Sequence, residues 1–238
     1  MIAKILKTAL HSDDISLKDL KLPVSVFIVW LFIISALIGI GLGHTEWFIK
    51  KTPLNLMIGA VLLFINFPID NAKKIGLWVF AFLTGMIVEI LGVKTSMLFG
   101  EYYYGENMGA KFMDVPYLIG IYWAVLSFIC AAIGHKLTQQ YVLHPEKTNS
   151  TSTKIIAAAV GAAFMVFLDV FMEQMAHPLD FWHFTGGLAP FQNYVTWYIV
   201  AFMLQLLLLR NVKITDYWFS INLYLSQLVF FVVCLLLL

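Results

Sequence analysis

Charged residues are what this chain has least of. Asp, Glu, Lys and Arg together make up 12% of the 238 residues, while 61% are hydrophobic. Soluble domains carry about 25% charged residues, so this composition predicts a polytopic membrane protein. The formal net charge is +1 and the basic residues form no cluster, so nucleic acid is not an expected partner.

Cysteine and the common cofactor motifs are also scarce. The chain has two cysteines, Cys130 and Cys234, and each lies inside an apolar run, where a small packing residue is the ordinary role. No CxxC or His/Cys spacing typical of a metal site occurs, and no glycine-rich GxGxxG or GxxxxGK loop occurs. These absences argue against a metal, nucleotide or flavin site.

The abundant apolar residues fall into seven segments. Each is near the roughly 20 residues that a membrane-spanning helix needs. They lie at about 22–43, 54–70, 75–93, 115–135, 154–176, 193–209 and 216–238. We therefore predict an all-α fold in which residues 22–238 form a single transmembrane domain of about seven helices, without an internal repeat or a second domain.

Residues 1–21 are too charged to cross a bilayer. Asp13 and Asp14 interrupt what would otherwise resemble the apolar core of a signal peptide. We predict instead a short amphipathic helix on the cytoplasmic surface, with an apolar side formed by Ile2, Ile5, Leu6 and Ala9.

Three carboxyl groups lie inside the predicted spans and not at their ends. Asp169 and Glu173 are four residues apart on the fifth segment, so they share one helix face, and His177 follows at the same spacing at the helix exit. Glu89 lies on the third segment. At ~1.5 Å per residue, Glu89 is ~22 Å from Lys74 and Asp169 is ~22 Å from Lys154, so we expect these two carboxyls at matching depth in one pocket. Charged groups inside a bilayer cost several kcal/mol, which makes a functional role the default interpretation.

Two loops at the predicted outer side are long, aromatic and rich in glycine. They cover residues 92–116 and 177–193. Tyrosine and tryptophan are common at membrane interfaces. The density of aromatic residues here further suggests loops that fold back over the bundle as a lid.

Buried carboxyl groups near aromatic rings suit proton-transfer chemistry. Apolar surroundings disfavour the charged form of a carboxylic acid, so such a group can hold a proton and deliver it to a weak base. A second carboxylate can stabilise a developing cation or take a proton from water, and aromatic faces stabilise cations as well. The composition therefore suits protonation of a lipid-soluble substrate.

Three blocks of the sequence resemble a known family, the membrane carotenoid hydratases that add water to an acyclic end group. Residues 89–104 (EILGVKTSMLFGEYYY) resemble its E-x-x-G-x-x-T-G-x-x-F-G-x-Y-x-Y signature, with Ser96 where the pattern has glycine. Residues 169–173 resemble its D-x-x-x-E-P block, with Gln174 in place of the proline. Residues 190–197 (PFQNYVTW) resemble P-x-x-N-[FY]-x-x-W. The resemblance covers about residues 85–200.

The resemblance implies a cofactor-independent hydratase acting at the terminal 1′,2′ double bond of an acyclic or monocyclic carotenoid, with water as co-substrate. A carboxyl would protonate the double bond, and water would capture the tertiary cation. We expect Glu89, Asp169 and Glu173 to be catalytic, with Asp169 or Glu89 as the proton donor. The residues expected to contact the substrate or to hold water are Thr95, Tyr102, Tyr104, Trp123, Asn193 and Trp197.

Two other functions fit part of the pattern. A non-flavin integral-membrane carotenoid or lycopene cyclase would form the same cation and trap it with an internal double bond. A proton-coupled transporter would also carry intramembrane Asp and Glu, although the broken helices or inverted repeats typical of such proteins are not evident. The sequence does not determine the oligomeric state.

The basic residues predict the orientation of the chain in a plasma (inner) membrane. With the N-terminus cytoplasmic, eleven lysines and arginines fall on the inside and four on the outside, at Lys50, Lys51, Lys94 and Lys111. Cytoplasmic loops carry the excess of basic residues, and seven spans place the C-terminus on the opposite side.

We predict that alkaline phosphatase fused after Leu238 is active in a bacterial host, whereas green fluorescent protein at the same position is dark, because the C-terminus lies outside. The same two reporters fused after Arg210 should give the opposite result. A fluorescent C-terminal fusion would contradict the predicted orientation.

Overall fold

A computed structural model of the protein describes residues 17–67, 69–142, 150–211 and 217–238. The predicted surface helix up to residue 16 and most of the linker 144–154 lie outside these residues. The first helix already begins at Leu17, so residues 17–21 continue into the first span without a break.

The described residues are mainly helical. The helices are α1 (Leu17–Gly41), α2 (Thr45–Ile49), α3 (Thr52–Asn66), α4 (Ala72–Thr95), α5 (Tyr117–Leu137), α6 (Thr151–Ala176), α7 (Phe191–Asn211) and α8 (Tyr217–Leu237). Four short strands are β1 (Tyr102–Tyr104), β2 (Lys111–Phe112), β3 (Val115–Pro116) and β4 (Trp182–Phe184). A π-helical turn, Thr138–Val142, extends α5. Within this part of the chain, seven segments are long and apolar enough to cross a membrane, with α2 and α3 joined as one, which confirms the predicted fold class.

Helix α5 is the centre of the bundle. In the most apolar 18-residue stretch of α5, 89% of the residues are buried inside the protein, against 28–44% in the other six spans. It contacts α3, α4, α6, α7 and α8. Helix α5 therefore packs against both helices that carry the buried carboxyl groups, α4 and α6.

Glycine allows α5 and α6 to approach closely. A Cβ atom at Gly134 of α5 would lie 2.3 Å from the backbone oxygen of Ala157, and one at Gly161 of α6 would lie 2.6 Å from the backbone oxygen of Cys130. Apolar association gives little driving force inside lipid, so close backbone packing of this kind is a main source of helix association.

A second layer of helices lies beside this core. Helix α1 packs against α8 and α3, and α8 packs in turn against α5 and α6. Interhelical hydrogen bonds join the layer: Trp30 Nε1 donates to Asn222 Oδ1 of α8 at 3.0 Å, and Lys21 Nζ donates to the Ile65 backbone oxygen of α3 at 3.0 Å. The carboxyl-bearing helices α4 and α6 thus belong to the core, while α1, α3 and α8 flank it.

The two aromatic loops form a joint structure at one end of the bundle, which we call the cap (residues 96–116 and 177–190). Strands β1 and β4 pair antiparallel, with Tyr102 opposite Phe184 and Tyr104 opposite Trp182. Strands β2 and β3 form a second antiparallel pair. The predicted aromatic loops therefore hydrogen-bond to each other, and the antiparallel pairing fixes which rings turn toward the helices.

We predict that Gly134→Ala lowers the stability of the bundle by about 1–3 kcal/mol, because the new methyl group meets a backbone atom that no rotamer change can move. Thermal unfolding of the purified protein in detergent measures the change. Gly76→Ala is the matched control, since a Cβ atom there meets nothing within 4 Å. Equal midpoints for the two variants would contradict the close α5–α6 packing.

Candidate active site

Glu89 is a buried carboxylate with three hydrogen-bond donors. Its side chain on α4 is 3% exposed. Tyr102 and Tyr104 donate their hydroxyl hydrogens to Oε2 at 2.6 Å and 2.7 Å, and Trp123 Nε1 donates to Oε1 at 2.8 Å. An ionised carboxylate offers about four acceptor positions, so these donors leave about one free.

Strand alternation explains how two tyrosines reach one carboxylate. Tyr102 and Tyr104 of β1 are buried and point to the same face, while Tyr103 between them is exposed. Burial, reinforced by the charge of Glu89, raises the pKa of the Tyr102 and Tyr104 phenols far above the usual range. Both phenols therefore stay protonated and act as hydrogen-bond donors to Glu89.

Gly92 makes room for this contact. It lies one helical turn after Glu89, on the same side of α4. A Cβ atom at Gly92 would lie 2.5 Å from the Phe99 ring and 2.8 Å from the Tyr102 hydroxyl. The E-x-x-G spacing is thus a steric requirement for bringing the tyrosine onto the glutamate.

The second acid group is the pair Asp169 and Glu173 on α6. Asn193 Nδ2 donates to Asp169 Oδ2 at 3.1 Å and to Glu173 Oε1 at 2.9 Å, so one amide bridges the two carboxyls. Trp182 of β4 donates from Nε1 to Glu173 Oε2 at 2.8 Å. Each Glu173 oxygen therefore has a donor, one from α7 and one from the cap.

Asp169 is enclosed more completely. Its side chain is 0% exposed, and Oδ1 is buried without a hydrogen-bond partner in the described structure. A buried polar atom without a partner is costly, and the cost is larger for a charged group. A neutral carboxylic acid satisfies this position better than an anion.

A small cavity of about 20 Å³ lies between the two acid groups. This is room for one water molecule. The cavity is lined by Glu89, Phe99, Tyr102, Tyr104, Ile119, Tyr122, Trp123, Met172, Glu173, Trp182, Phe184, Asn193 and Trp197. Two polar acids and an amide thus face an otherwise aromatic and apolar wall.

The structure brings together most of the residues expected at the site. Tyr102, Tyr104, Trp123, Asn193 and Trp197 all line the cavity, and the Trp123 and Trp197 rings stack with their centroids 4.0 Å apart. Tyr102, Tyr104 and Trp123 also donate hydrogen bonds to Glu89. The sequence predicts these residues as substrate contacts but does not predict these hydrogen bonds.

Two expectations need correction. Asp169 is expected to share a pocket with Glu89, but Glu173 lines the cavity instead, and Asp169 is connected to it through its hydrogen bond with Asn193. Thr95 was expected near the substrate, but it is exposed at the end of α4, where its hydroxyl donates to the Leu91 backbone oxygen at 2.6 Å. The structure therefore places Thr95 at the helix end, outside the residues that line the cavity.

Sequence reasoning did not place Trp182, Tyr122 or Met172 among the site residues. Trp182 lies in an aromatic loop that the sequence predicts to form a lid. The aromatic density of that loop points to Trp182, but it does not identify Glu173 as its hydrogen-bond partner. Tyr122 is one residue before Trp123 on α5, and nothing in its spacing marks it.

The ends of α4 and α6 start the cap. Ser96, where the family pattern has glycine, ends α4 in the left-handed conformation with φ 56°, which glycine adopts without strain. His177 ends α6 as its C-cap residue, as its position at the helix exit predicted. Its Nδ1 lies 2.6 Å from His183 Nδ1.

Asp180 joins the two halves of the cap. One of its oxygens accepts from His183 Nε2 at 2.8 Å and the other accepts from the Glu106 backbone N–H at 3.0 Å. Burial acts to raise the pKa of the Asp180 carboxyl, but the hydrogen bonds from His183 and Glu106 outweigh it and lower the pKa below its ordinary value. Asp180 is therefore ionised and ties the β4 loop to the β1 loop.

These features define a seven-helix membrane protein with a capped, water-sized cavity between buried carboxyl groups. A family model described as "Carotenoid biosynthesis protein" matches residues 51–238. The chain therefore belongs to the carotenoid biosynthesis protein family. Neither the comparison with curated proteins nor that with solved structures gives a match.

We predict that Asp180→Ala opens the cap, because the Glu106 amide and His183 each lose a charged acceptor. The free energy of local opening should fall by about 1–2 kcal/mol. Amide hydrogen exchange at Tyr102–Tyr104 should then be roughly 5–30 times faster.

Asp114→Ala is the matched control for this measurement. Asp114 is also a cap aspartate with positive φ, at 70°, but it pairs with Lys94 and lies outside the β1–β4 ladder. Equal acceleration in both variants would show that Asp180 does not join the two loops.

Proposed function

We propose that the protein is a cofactor-independent carotenoid hydratase that adds water across the terminal 1′,2′ double bond of an acyclic end group. The observation that carries the proposal is that Glu89 and Glu173 line one apolar and aromatic cavity with room for a water molecule. Membership of the carotenoid biosynthesis family supports a carotenoid as the substrate. The seven apolar helices support a multi-pass membrane protein, and the proposed location is the plasma (inner) membrane.

The acid pair on α6 is the proposed proton source. Asp169 and Glu173 are bridged by Asn193 and hold one proton between them, which the partnerless oxygen of Asp169 supports. The proposed donor is Glu173, which lines the cavity, and not Asp169 or Glu89 as expected from the sequence. Glu173 takes up the shared proton and transfers it to C2′ of the terminal double bond. The positive charge then develops on the tertiary carbon C1′, since the more substituted cation is the more stable one.

Glu89 is the proposed partner of the cation and the water. Its three donors hold it as a carboxylate close to the developing charge, and the faces of Trp197 and Trp182 add further stabilisation. The water oxygen bonds to C1′ and releases its proton to Glu89. The next water molecule to enter the cavity carries a proton from Glu89 back to Glu173, so the net reaction is the addition of one water molecule.

We expect Glu89→Gln and Glu173→Gln to lower the yield of hydroxylated product by about 100-fold or more, since each removes a proton donor or acceptor from the site. Asp169→Asn should cause a smaller loss, because Asp169 acts through Asn193 and Glu173. The measurement is mass and polarity of the products in cells that make an acyclic or γ-carotene-type substrate.

Glu101→Gln is the control, because this cap glutamate is exposed and does not line the cavity. Near wild-type yields in all three site variants would refute the site. A wild-type product of unchanged mass with a new ring would assign the protein to the cyclases instead.

A further inference from the structure

A groove lies beside the carboxyl site. Its volume is about 470 Å³, which lies in the range of about 300–1,000 Å³ that is typical of small-molecule sites. The groove runs between α1, the α2–α3 segment, α8 and the cap, and its walls include Phe32, Ala36, Phe48, Leu56, Phe181 and Phe231. Its lining is therefore that of a site for a hydrocarbon.

The groove and the carboxyl cavity share a wall. Ile119, Tyr122, Met172 and Trp182 line both of them. Trp182 also donates its indole hydrogen to Glu173. A hydrocarbon that lies wholly in the groove is thus separated from Glu173, the proposed proton donor, by the side chain of Trp182.

The shared wall is held from the groove side as well. Tyr122 donates its hydroxyl hydrogen to Gln227 Oε1 of α8 at 2.7 Å, and the same hydroxyl lies 3.4 Å from Met172 Sδ. The position of this wall therefore depends on α8 and not only on the helices that carry the acids.

The rim of the groove opens toward the surface that faces lipid. Leu31 of α1 and Leu54 of α3 both line it and are 48% and 54% exposed. A hydrocarbon dissolved in the bilayer can reach the groove without passing through water. Charged residues are scarce in the lining, which includes Lys51, the N-cap residue of α3.

We propose that this groove binds the hydrocarbon chain of the carotenoid, with the reacting end entering the carboxyl cavity between Tyr122, Met172 and Trp182, which line both spaces. This inference rests on the proposed function, because the occupant is the substrate of that reaction. It assigns to α1, α3 and α8 a binding role that the family motifs do not cover.

The test is binding of lycopene, an achiral acyclic carotenoid, to the purified protein in lipid nanodiscs. Lycopene gives a circular dichroism band at its visible absorption when it is held in a chiral site. The tryptophan side chain in Ala36→Trp fills the groove. We expect this variant to bind lycopene at least tenfold more weakly and to form at least tenfold less hydroxylated product in cells. Ser35→Trp is a second variant at an exposed position of the lining, for the case that Ala36→Trp does not fold.

Ala163→Trp is the matched control, because Ala163 lies exposed on α6 outside the groove, and it should bind lycopene as the wild type does. Wild-type binding by a folded groove variant, or an equal loss in the control, would overturn the assignment. Glu89→Gln should retain binding while losing product, which separates the two proposals. A wild type that binds lycopene but forms no hydroxylated product would refute the proposed function and leave the groove standing.

Discussion

The cost of enclosing carboxyl groups in a membrane bundle is the constraint that organises this structure. A buried carboxyl without hydrogen-bond partners is unfavourable by several kcal/mol. Helix backbone N–H groups cannot relieve it within a span, because they are already bonded along the helix. The donors must therefore be side chains from other elements, and they are Trp123 of α5, Asn193 of α7, and Tyr102, Tyr104 and Trp182 of the cap.

The cap and the carboxyl groups consequently depend on each other. Strand pairs of two or three residues are too short to be stable alone. The β1–β4 pair gains stability from the contacts of Tyr102 and Tyr104 with Glu89 and from that of Trp182 with Glu173. The same contacts satisfy the acids. A protein that must hold reactive acids next to lipid can thus use the folding of its loops to close the site and to supply its hydrogen bonds.

Sequence reasoning predicted the seven spans and the burial of acids within them well, since hydropathy reports lipid exposure directly and a carboxyl in an apolar run is easy to recognise. It predicted the pairing of the acids less well. Counting residues from Lys74 and Lys154 gives the depth of Glu89 and Asp169 along their helices, but not the direction in which each side chain points. The cavity lies one turn further along α6, at Glu173, because the aromatic residues of the cap lie at that level.

The position of Thr95 outside the cavity has the same explanation, the direction in which a side chain leaves its helix. Thr95 stands six residues after Glu89, and six residues of α-helix turn the chain by about 600°, or about 240° from where it started. A motif that is continuous in sequence is therefore not continuous on one helix face. Gly92, at three residues, stays on the face of Glu89, while the hydroxyl of Thr95 bonds to the Leu91 backbone instead.

The groove shows a more general limit of hydropathy. Lipid and a carotenoid chain are both hydrocarbon, so a helix face against either one selects the same side chains. The apolar composition of helices α1, α3 and α8 accordingly does not show whether their faces contact lipid or a bound carotenoid. What separates them is position, since Ile119, Tyr122, Met172 and Trp182 form a boundary with the groove on one side and the acids on the other. A hydrophobic substrate leaves its binding site invisible in the sequence until the fold shows which apolar faces turn toward the chemistry.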